Sequence, residues 1–345
     1  MEKKSLEMLA DNSELQSSMK SNPEDNPQLE SHYITPWTCL QIFGPDTVDF
    51  LNRLLSIKVS PIPLQQGSWA FLLDHRGRVQ ESIYLLREDT QSFIAISEMA
   101  IQTLHDALDL FLFAEDLNLK ILNDQQCIYS RFSTNTSTQD LLQTHFARRH
   151  WPFKLMGNHH EYLSIGSKEQ VIEFMKLHES STLLSDTDFE HDRISLGIPQ
   201  VLREYKDRSP LNVSIQGISE GKGCYPGQEV IEKTLALGKP AKRTLSVKVY
   251  ASHEALHTLV QNYLKQEAIS VLSVPPNSPH EQAKSLGLVT SLSPMIMNKD
   301  QESMSPFVCA IIQVKNRPEY PNNLVLSFPN PPPERFEVTL MNNDF

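Results

Sequence analysis

The sequence predicts an α+β body followed by a small β-barrel or sandwich. Strands, a hairpin and amphipathic helices alternate without a fixed period over the first two thirds of the chain, which is typical of an α+β fold. From about residue 241 onwards short strands recur, separated by proline-rich connectors. The 345 residues are enough for about two domains of ordinary size, each with its own core.

The first ordered elements are expected in "WTCLQIFGPDTVDFLNRLLS". A short apolar strand leads there into Gly44-Pro45, and proline suits the first turn of a helix. That helix would place Val48, Leu51 and Leu55 on one face. Residues 1–30 combine charged residues with Ser, Asn and Pro and have almost no apolar run, so they are predicted to form a disordered tail.

A β-hairpin is predicted in "WAFLLDHRGRVQESIYLLRE", where two apolar runs flank the turn residues 74–77. Arg76, Arg78 and Glu81 could lie at the rim of a cleft, although turn chemistry alone explains Asp74 and Gly77. The hairpin therefore carries polar residues that could belong to a site, but no known motif assigns them a function.

Two later segments complete the predicted elements. In "EYLSIGSKEQVIEFMKLH" a strand precedes a helix, and Ser167 with Gln170 matches a capping box at the start of that helix. In "TLSVKVY" the apolar residues Leu245, Val247 and Val249 alternate with polar ones, and "LGLVTSLS", "FVCAIIQVK", "NLVLSF" and "FEVTLM" follow as further short strands. The change of character places a domain boundary near residues 238–243.

Composition and charge restrict the function. The net charge of −11 disfavours nonspecific binding to phosphate backbones, so no direct nucleic-acid partner is expected. The four cysteines are far apart with no C-x-x-C pair, which favours reduced thiols in the cytoplasm over a zinc ribbon. Cys39, Cys127 and Cys309 lie in apolar strand-like runs and are predicted to be buried small hydrophobic groups. No stretch approaches the roughly 20 apolar residues of a membrane helix, so a soluble protein without a membrane partner is expected.

The segment "KGCYPGQE", residues 222–229, is the most unusual in the chain. Gly223 and Gly227 free the backbone, so a shaped loop is predicted, and Lys222 two positions before Cys224 could favour the thiolate. A catalytic cysteine normally needs a base such as histidine, and none is near in sequence. On these grounds alone a structural and a functional Cys224 are about equally favoured.

The basic, histidine-rich segment "HFARRHWPFKLMGNHH" offers two further hypotheses. Arginines beside aromatic residues would suit base stacking, but the segment is short, and an exposed connection with a partly buried Trp151 is favoured. As metal ligands, His145, His150, His159 and His160 lack an H-E-x-x-H spacing or a cysteine complement. No metal site is therefore predicted.

The loop resembles the signature of the YgfZ family, K-G-C-[FY]-x-G-Q-E. Seven specified positions match: Lys222, Gly223, Cys224, Tyr225, Gly227, Gln228 and Glu229. "RISLGIPQ" is similar to the family's R-x-x-x-G-I-P stretch, and "LGLVTS" is similar to its G-x-V-T-S strand. "IFGPDTVDFLNRLLS" and "FLLDHRGRV" are similar to the family's N-terminal helix and hairpin. Lys233 departs from the arginine that is common after this motif.

This resemblance implies a GcvT-like fold, that of relatives of the glycine cleavage T-protein. It implies a multi-lobed folate-binding body over residues 31–240, with lobes over 31–122 and 123–240, and a C-terminal β-barrel domain over 241–345. It also implies a tetrahydrofolate-binding accessory factor for the assembly or repair of iron–sulfur clusters in client enzymes, tRNA-modifying enzymes among them, with cluster carriers as further partners. No defined reaction is implied.

The resemblance also assigns roles within the loop. Cys224 would be the functional thiol and Lys222 would tune it or contact an anion. Gly223, Tyr225, Gly227, Gln228 and Glu229 would shape the loop and orient a folate. Two alternatives stay open: a folate-dependent aminomethyl transferase, for which Glu81-Ser82 stands where the T-protein has an acidic pair, and a noncatalytic scaffold for cluster carriers.

Overall fold

A computed structural model describes residues 30–97, 101–132, 138–153, 160–178, 181–205, 207–213, 216–238, 240–265, 268–273, 284–294, 306–316, 324–327 and 336–341. The predicted tail up to residue 29 and most of both proline-rich connectors, 274–280 and 328–335, lie outside these residues. The chain divides into two compact units. The first comprises Met1–Val48, Pro61–Ser68 and Tyr84–Phe189, and the second comprises Asp49–Ser60, Trp69–Ile83 and Glu190–Phe345. The predicted boundaries at residues 122 and 240 stay a prediction.

The described elements follow one another in this order: β1 (Ser31–Ile34), β2 (Thr38–Phe43), α1 (Thr47–Leu54), β3 (Gly67–Leu73), β4 (Val79–Arg87), β5 (Ser92–Ser97), α2 (Ile101–Asp109), β6 (Asn118–Ile121), β7 (Gln125–Phe132), α3 (Thr138–Phe146), β8 (His150–Pro152), β9 (His160–Ser167), α4 (Lys168–Leu177), β10 (Thr182–Leu183) and α5 (Asp186–Ser195). After a π-helical turn (Val201–Tyr205) and a 3₁₀ turn (Pro210–Asn212), they continue as α6 (Gln228–Ala236), β11 (Lys242–Tyr250), α7 (His253–Leu264), β12 (Ser270–Ser273), β13 (Lys284–Leu292), β14 (Phe307–Lys315), β15 (Leu324–Ser327) and β16 (Phe336–Leu340).

The first unit contains a five-stranded sheet with the strand order β10-β1-β7-β9-β8. Strand β1 precedes the segment in which the first ordered element was predicted; it pairs in parallel with β10 and antiparallel with β7. Helix α4 begins with the predicted capping box, in which Ser167 and Gln170 each accept a hydrogen bond from the other's backbone N–H. Its buried residues Val171, Phe174 and Met175 belong to the core of this sheet.

A second five-stranded sheet has the order β3-β4-β5-β2-β6, and the neighbouring strands β3 and β4 are the predicted hairpin.

The second unit contains a closed barrel with the strand order β11-β14-β13-β12-β15-β16. Alternating residues of "TLSVKVY" fill it, since Val247 and Val249 are fully buried in the barrel core. Helix α7 was not predicted, although Ser252 caps its first turn and Leu256 and Leu259 pack into the same core. The barrel alternative of the sequence prediction is therefore confirmed.

None of the helices described is long and apolar enough to cross a membrane.

Candidate functional site

The cysteine loop leads into helix α6 in the second unit. Gly227 precedes the helix with a φ of +76°, in the left-handed region that favours glycine. A Cβ at this position would lie 2.5 Å from the carbonyl oxygen of Asp74 and 2.6 Å from Cα of Gly77. The loop therefore packs against the backbone of the β3–β4 hairpin turn, and only a residue without a side chain fits there.

The hairpin turn has its own internal hydrogen bonds. The carboxylate of Asp74 accepts hydrogen bonds from the backbone N–H groups of Arg76 and Arg78, both at 2.8 Å. Gly77 has a φ of +69°, and a Cβ there would lie 3.1 Å from Cβ of Val230 in α6. Turn chemistry thus accounts for Asp74 and Gly77, as the sequence suggested. The cysteine loop and the start of α6 pack against this turn.

Lys222 is buried rather than presented to solvent. Its side chain is 4% exposed, and Nζ donates a hydrogen bond to the backbone carbonyl of Asn52. The ammonium also lies 4.6 Å from the centroid of the Tyr225 ring, within cation–π range. Burial lowers the pKa of Lys222 to about 8, and electrostatic attraction to Cys224 opposes this change. Lys222 is therefore held close enough to Cys224 for the two to interact electrostatically.

Tyr225 and Gln228 hold the loop from its other side. Tyr225 is 9% exposed and packs in a core cluster with Phe71 and Ile231. Burial, together with the negative charge of Glu232, raises the pKa of its hydroxyl. Gln228 donates hydrogen bonds from Nε2 to the backbone carbonyl of Lys222 at 3.0 Å and to Glu232 at 2.6 Å. The loop is consequently closed on itself between residues 222 and 228.

Cys224 is the exposed cysteine of the chain. Cys39, Cys127 and Cys309 are buried, as the sequence predicted, and lie in strands β2, β7 and β14. Burial raises the pKa of the Cys127 thiol well above its usual value, and that of Cys309 to about 11. These three thiols are therefore inert small hydrophobic groups. Of the four cysteines, Cys224 alone is accessible to a ligand or partner.

The remaining loop residues of the motif have different surroundings. Glu229 is exposed in the first turn of α6. Gly223 is also exposed, and a Cβ added to it would meet no atom within 4 Å. The packing around Gly223 therefore does not by itself require glycine.

A pocket of about 330 Å³ lies beside the loop, within the second unit. It is lined by residues 218–221, Tyr225, Ile231, Glu232 and Leu235. Its volume is at the lower end of the range of small-molecule sites. The two acidic residues of this lining, Glu220 and Glu232, were not among the predicted site residues, because neither belongs to the loop motif.

A buried ionic network connects two of the other motifs. Arg193, 2% exposed, donates hydrogen bonds to Glu190 at 2.7 and 2.8 Å and to Ser291 at 3.2 Å. Glu204 in the π-helical turn, fully buried, accepts a hydrogen bond of 2.6 Å from Ser291. Although burial acts to raise it, the pKa of Glu190 lies below its usual value because of the charges of Arg193 and Arg203. The "RISLGIPQ" and "LGLVTS" segments are thus joined in this network.

The histidine-rich segment was expected to be an exposed connection with a partly buried Trp151, but its described residues form the end of α3 and strand β8. Trp151 is fully buried, and Arg149 pairs with Glu88 at 2.9 Å. Burial lowers the pKa of His150. Residues 154–159, including His159, lie outside the described residues.

Comparison with solved structures identifies the fold. The structure is similar to that of the glycine cleavage system aminomethyltransferase T from Bartonella henselae, with a TM-score of 0.68 over 91% of this chain and 85% of that chain, at 11% identity. The chain therefore has a GcvT-like fold, as the sequence predicted. At this identity the similarity defines the fold and not the activity.

A weaker similarity is to heterotetrameric sarcosine oxidase from Corynebacterium sp. U-96. It covers 48% of this chain and 90% of that one at 12% identity, with a TM-score of 0.30, which is too low to support an argument. No protein-family model matches the chain, and no curated protein matches it.

Proposed function

We propose that the protein is a tetrahydrofolate-binding accessory factor for the assembly or repair of iron–sulfur clusters in client enzymes, tRNA-modifying enzymes among them. The observation that carries the proposal is the exposed Cys224, held on a loop that is fixed on both sides within a GcvT-like fold. An exposed thiol on a rigid loop is available to a partner, whereas a loop cysteine with only a structural role would be packed.

The number of accessible thiols limits the chemistry. Stable clusters are generally held by about four ligands. Cys224 supplies one, and the buried Cys39, Cys127 and Cys309 cannot join it at the surface. A cluster that contacts this protein would therefore take its other ligands from a carrier or client protein, or from a small thiol such as glutathione. This favours a transient step on a client over permanent storage of a cluster.

The proposed folate site rests on the GcvT-like fold and on the likeness of the loop. The pocket beside Tyr225 is our candidate for the pterin ring, because Glu220 and Glu232 line it and carboxylates accept hydrogen bonds from amino groups. Tyr225 and Gln228 shape this side of the loop, and Gln228 is already bonded to Glu232. A folate bound in this pocket would therefore contact residues that hold the cysteine loop in place.

The proposed role of Lys222 is electrostatic. We assign its ammonium to contact with an anionic group that a ligand or partner brings to the loop. Lys222 Nζ donates a hydrogen bond to the carbonyl of Asn52 and lies over the ring of Tyr225, so the position of its charge is fixed. Gly223, Gly227 and Glu229 complete the proposed loop site.

A folate-dependent aminomethyl transferase is the second candidate. The fold is shared with an aminomethyltransferase, and strand β4 carries Glu81, a carboxylate that is 3% exposed. A carboxylate removed from water in this way suits general acid–base work. Turnover of an aminomethyl donor with tetrahydrofolate by the purified protein, lost in Glu81→Gln, would establish this candidate.

The main proposal is tested in cells that lack the protein. The activity of a [4Fe–4S] enzyme is measured under oxidative stress after rescue with the normal chain, Cys224→Ser or, as a control outside the loop, His105→Ala in α2, at equal abundance. We expect rescue by the normal chain and by His105→Ala, and failure of Cys224→Ser. Full rescue by Cys224→Ser would instead support a noncatalytic scaffold for cluster carriers, and no rescue by any chain would exclude the cluster role.

A binding measurement separates the folate part of the proposal. Calorimetric titration of the purified chain with tetrahydrofolate is compared with the same titration of Glu232→Gln and Cys224→Ser. We expect weaker binding for Glu232→Gln and unchanged binding for Cys224→Ser, because the thiol does not line the pocket. Absence of binding to the normal chain would contradict the folate proposal while leaving the thiol result intact.

A further inference from the structure

A group of three potential metal ligands lies in the first unit, apart from the cysteine loop in sequence and function. Its centre is His32 in strand β1, which is fully buried. His32 Nδ1 lies 2.9 Å from Ser130 Oγ. Within the part of the chain that the structure describes, His32 Nε2 has no hydrogen-bond partner. A buried polar atom without a partner costs free energy, so a ligand bound to this nitrogen would stabilise the fold.

The other two residues reach this position through the strand pairing. Glu30 immediately precedes β1, and His178 immediately follows α4. The backbone around them is fixed, because Thr182 donates a hydrogen bond to the carbonyl of Glu30 at 2.9 Å and Leu184 donates one to that of His32 at 2.8 Å. The parallel pairing of β1 with β10 therefore fixes the backbone of Glu30 and His32, and the end of α4 fixes that of His178.

The side chains are already close to one another. His178 Nδ1 lies 3.7 Å from Glu30 Oε2, and the ring centroids of His32 and His178 are 5.7 Å apart. One potential ligand atom from each of the three residues lies within 4.8 Å of the others. Ligand atoms in a tetrahedral zinc site with bonds of about 2.1 Å are roughly 3.4 Å apart, so small side-chain rotations would close the group around an ion.

We propose that Glu30, His32 and His178 bind one divalent transition-metal ion of the zinc type. Two imidazoles and one carboxylate form a donor set that suits zinc and leaves a position for water. Ser130 serves as the outer partner that orients the His32 ring, a common feature of metal-bound histidines. The side chains of His178 and Glu30 are 13% and 38% exposed, so the ion has a path from solvent.

The alternative explanation of this group is an ordinary ion pair between Glu30 and His178, with His32 as a buried structural residue beside it. That arrangement leaves His32 Nε2 without a partner, whereas a metal ion satisfies all three side chains. The geometry favours the ion over the pair.

The test is calorimetric titration of the chelator-treated, tag-free full chain with zinc chloride, supported by the visible spectrum with cobalt(II). All proteins carry Cys224→Ser, so that the exposed thiol does not bind metal. The variants are His178→Ala, Glu30→Gln and Ser130→Ala. His105→Ala is the matched control, because His105 also lies beside a carboxylate, that of Asp106 at 3.2 Å, but the Asp106 side chain is exposed. Among the described residues, His105 belongs to no group of three potential ligands.

We expect one equivalent of zinc to bind to the parent chain and to His105→Ala with the same affinity. His178→Ala and Glu30→Gln should weaken binding at least about tenfold, and Ser130→Ala by about 10- to 100-fold. Circular dichroism is used to check that each variant is folded. If His178→Ala does not fold, the test rests on Glu30→Gln, which changes a partly exposed side chain. Absence of saturable one-equivalent binding, or equal binding by Glu30→Gln and His105→Ala, would overturn the proposal.

Discussion

Gly227→Ala is expected to destabilise the protein and to displace the cysteine loop. Gly227 has a φ of +76° and immediately precedes helix α6, with the loop thiol three residues before it. An alanine Cβ would lie 2.5 Å from the Asp74 carbonyl oxygen, and 2.6 and 2.7 Å from Cα and N of Gly77. All three atoms belong to the backbone, so no side-chain rotation relieves the contact.

The magnitude has two parts. A left-handed backbone costs a non-glycine residue roughly 1–2 kcal/mol. Forcing a methyl group into packed atoms costs typically about 1–3 kcal/mol more. The free energy of unfolding should therefore fall by about 2–5 kcal/mol, because the loop and the hairpin turn must separate to admit the methyl group.

Gly223→Ala is the matched control, four residues away on the same loop. Its φ lies outside the left-handed region, and an added Cβ meets no atom within 4 Å. We expect a change within about 0.5 kcal/mol. The assay is urea unfolding followed by circular dichroism, with thiol alkylation of Cys224 as a report on the loop. Equal unfolding midpoints for the two variants would refute the steric reasoning.

Three further predictions concern other contacts. Arg193→Met should cost about 3–5 kcal/mol because it removes the buried cation that forms ion pairs with Glu190 and with the fully buried Glu204. Glu190→Gln at the edge of that network should cost less, and equal losses by thermal unfolding would contradict this. Lys222 has a pKa of about 8 in the folded protein against 10.5 for the ordinary group, so the folded state binds fewer protons in that interval. Stability should consequently rise by up to about 3 kcal/mol from pH 8 to 10.5 relative to Lys222→Met, and parallel pH profiles would exclude it. Ser167→Ala should lower stability by about 1 kcal/mol through loss of the helix cap, and an unchanged melting temperature would argue against the capping box.

Much of the fold could be predicted because its signals are local. The hairpin at 74–77, the capping box of Ser167 and the alternation in "TLSVKVY" depend on neighbours only a few residues apart. Helix α7 was missed, although Ser252 and the helical spacing of Leu256 and Leu259 are equally local signals. The miss arose because the surrounding segments have the strand pattern of a barrel.

The candidate site was predicted less completely. The loop motif identified residues 222–229, but it did not show that Lys222 is buried, that Gly223 faces open space or that Glu220 and Glu232 line a pocket. The burial of a side chain depends on residues distant in the sequence. Asn52, which accepts the hydrogen bond of Lys222, lies 170 positions away.

By itself, the sequence determined the strand and helix periods, the glycine positions of the loop and the burial of three cysteines in apolar strands. Only the tertiary structure decided which polar groups meet: Gly227 with the hairpin turn, Arg193 with Glu204 and Ser291, and His32 with Glu30 and His178. The physical reason is that periodicity and turn chemistry act over a few residues. Strand pairing and core packing, in contrast, bring together residues up to 170 positions apart, and no local pattern records which ones.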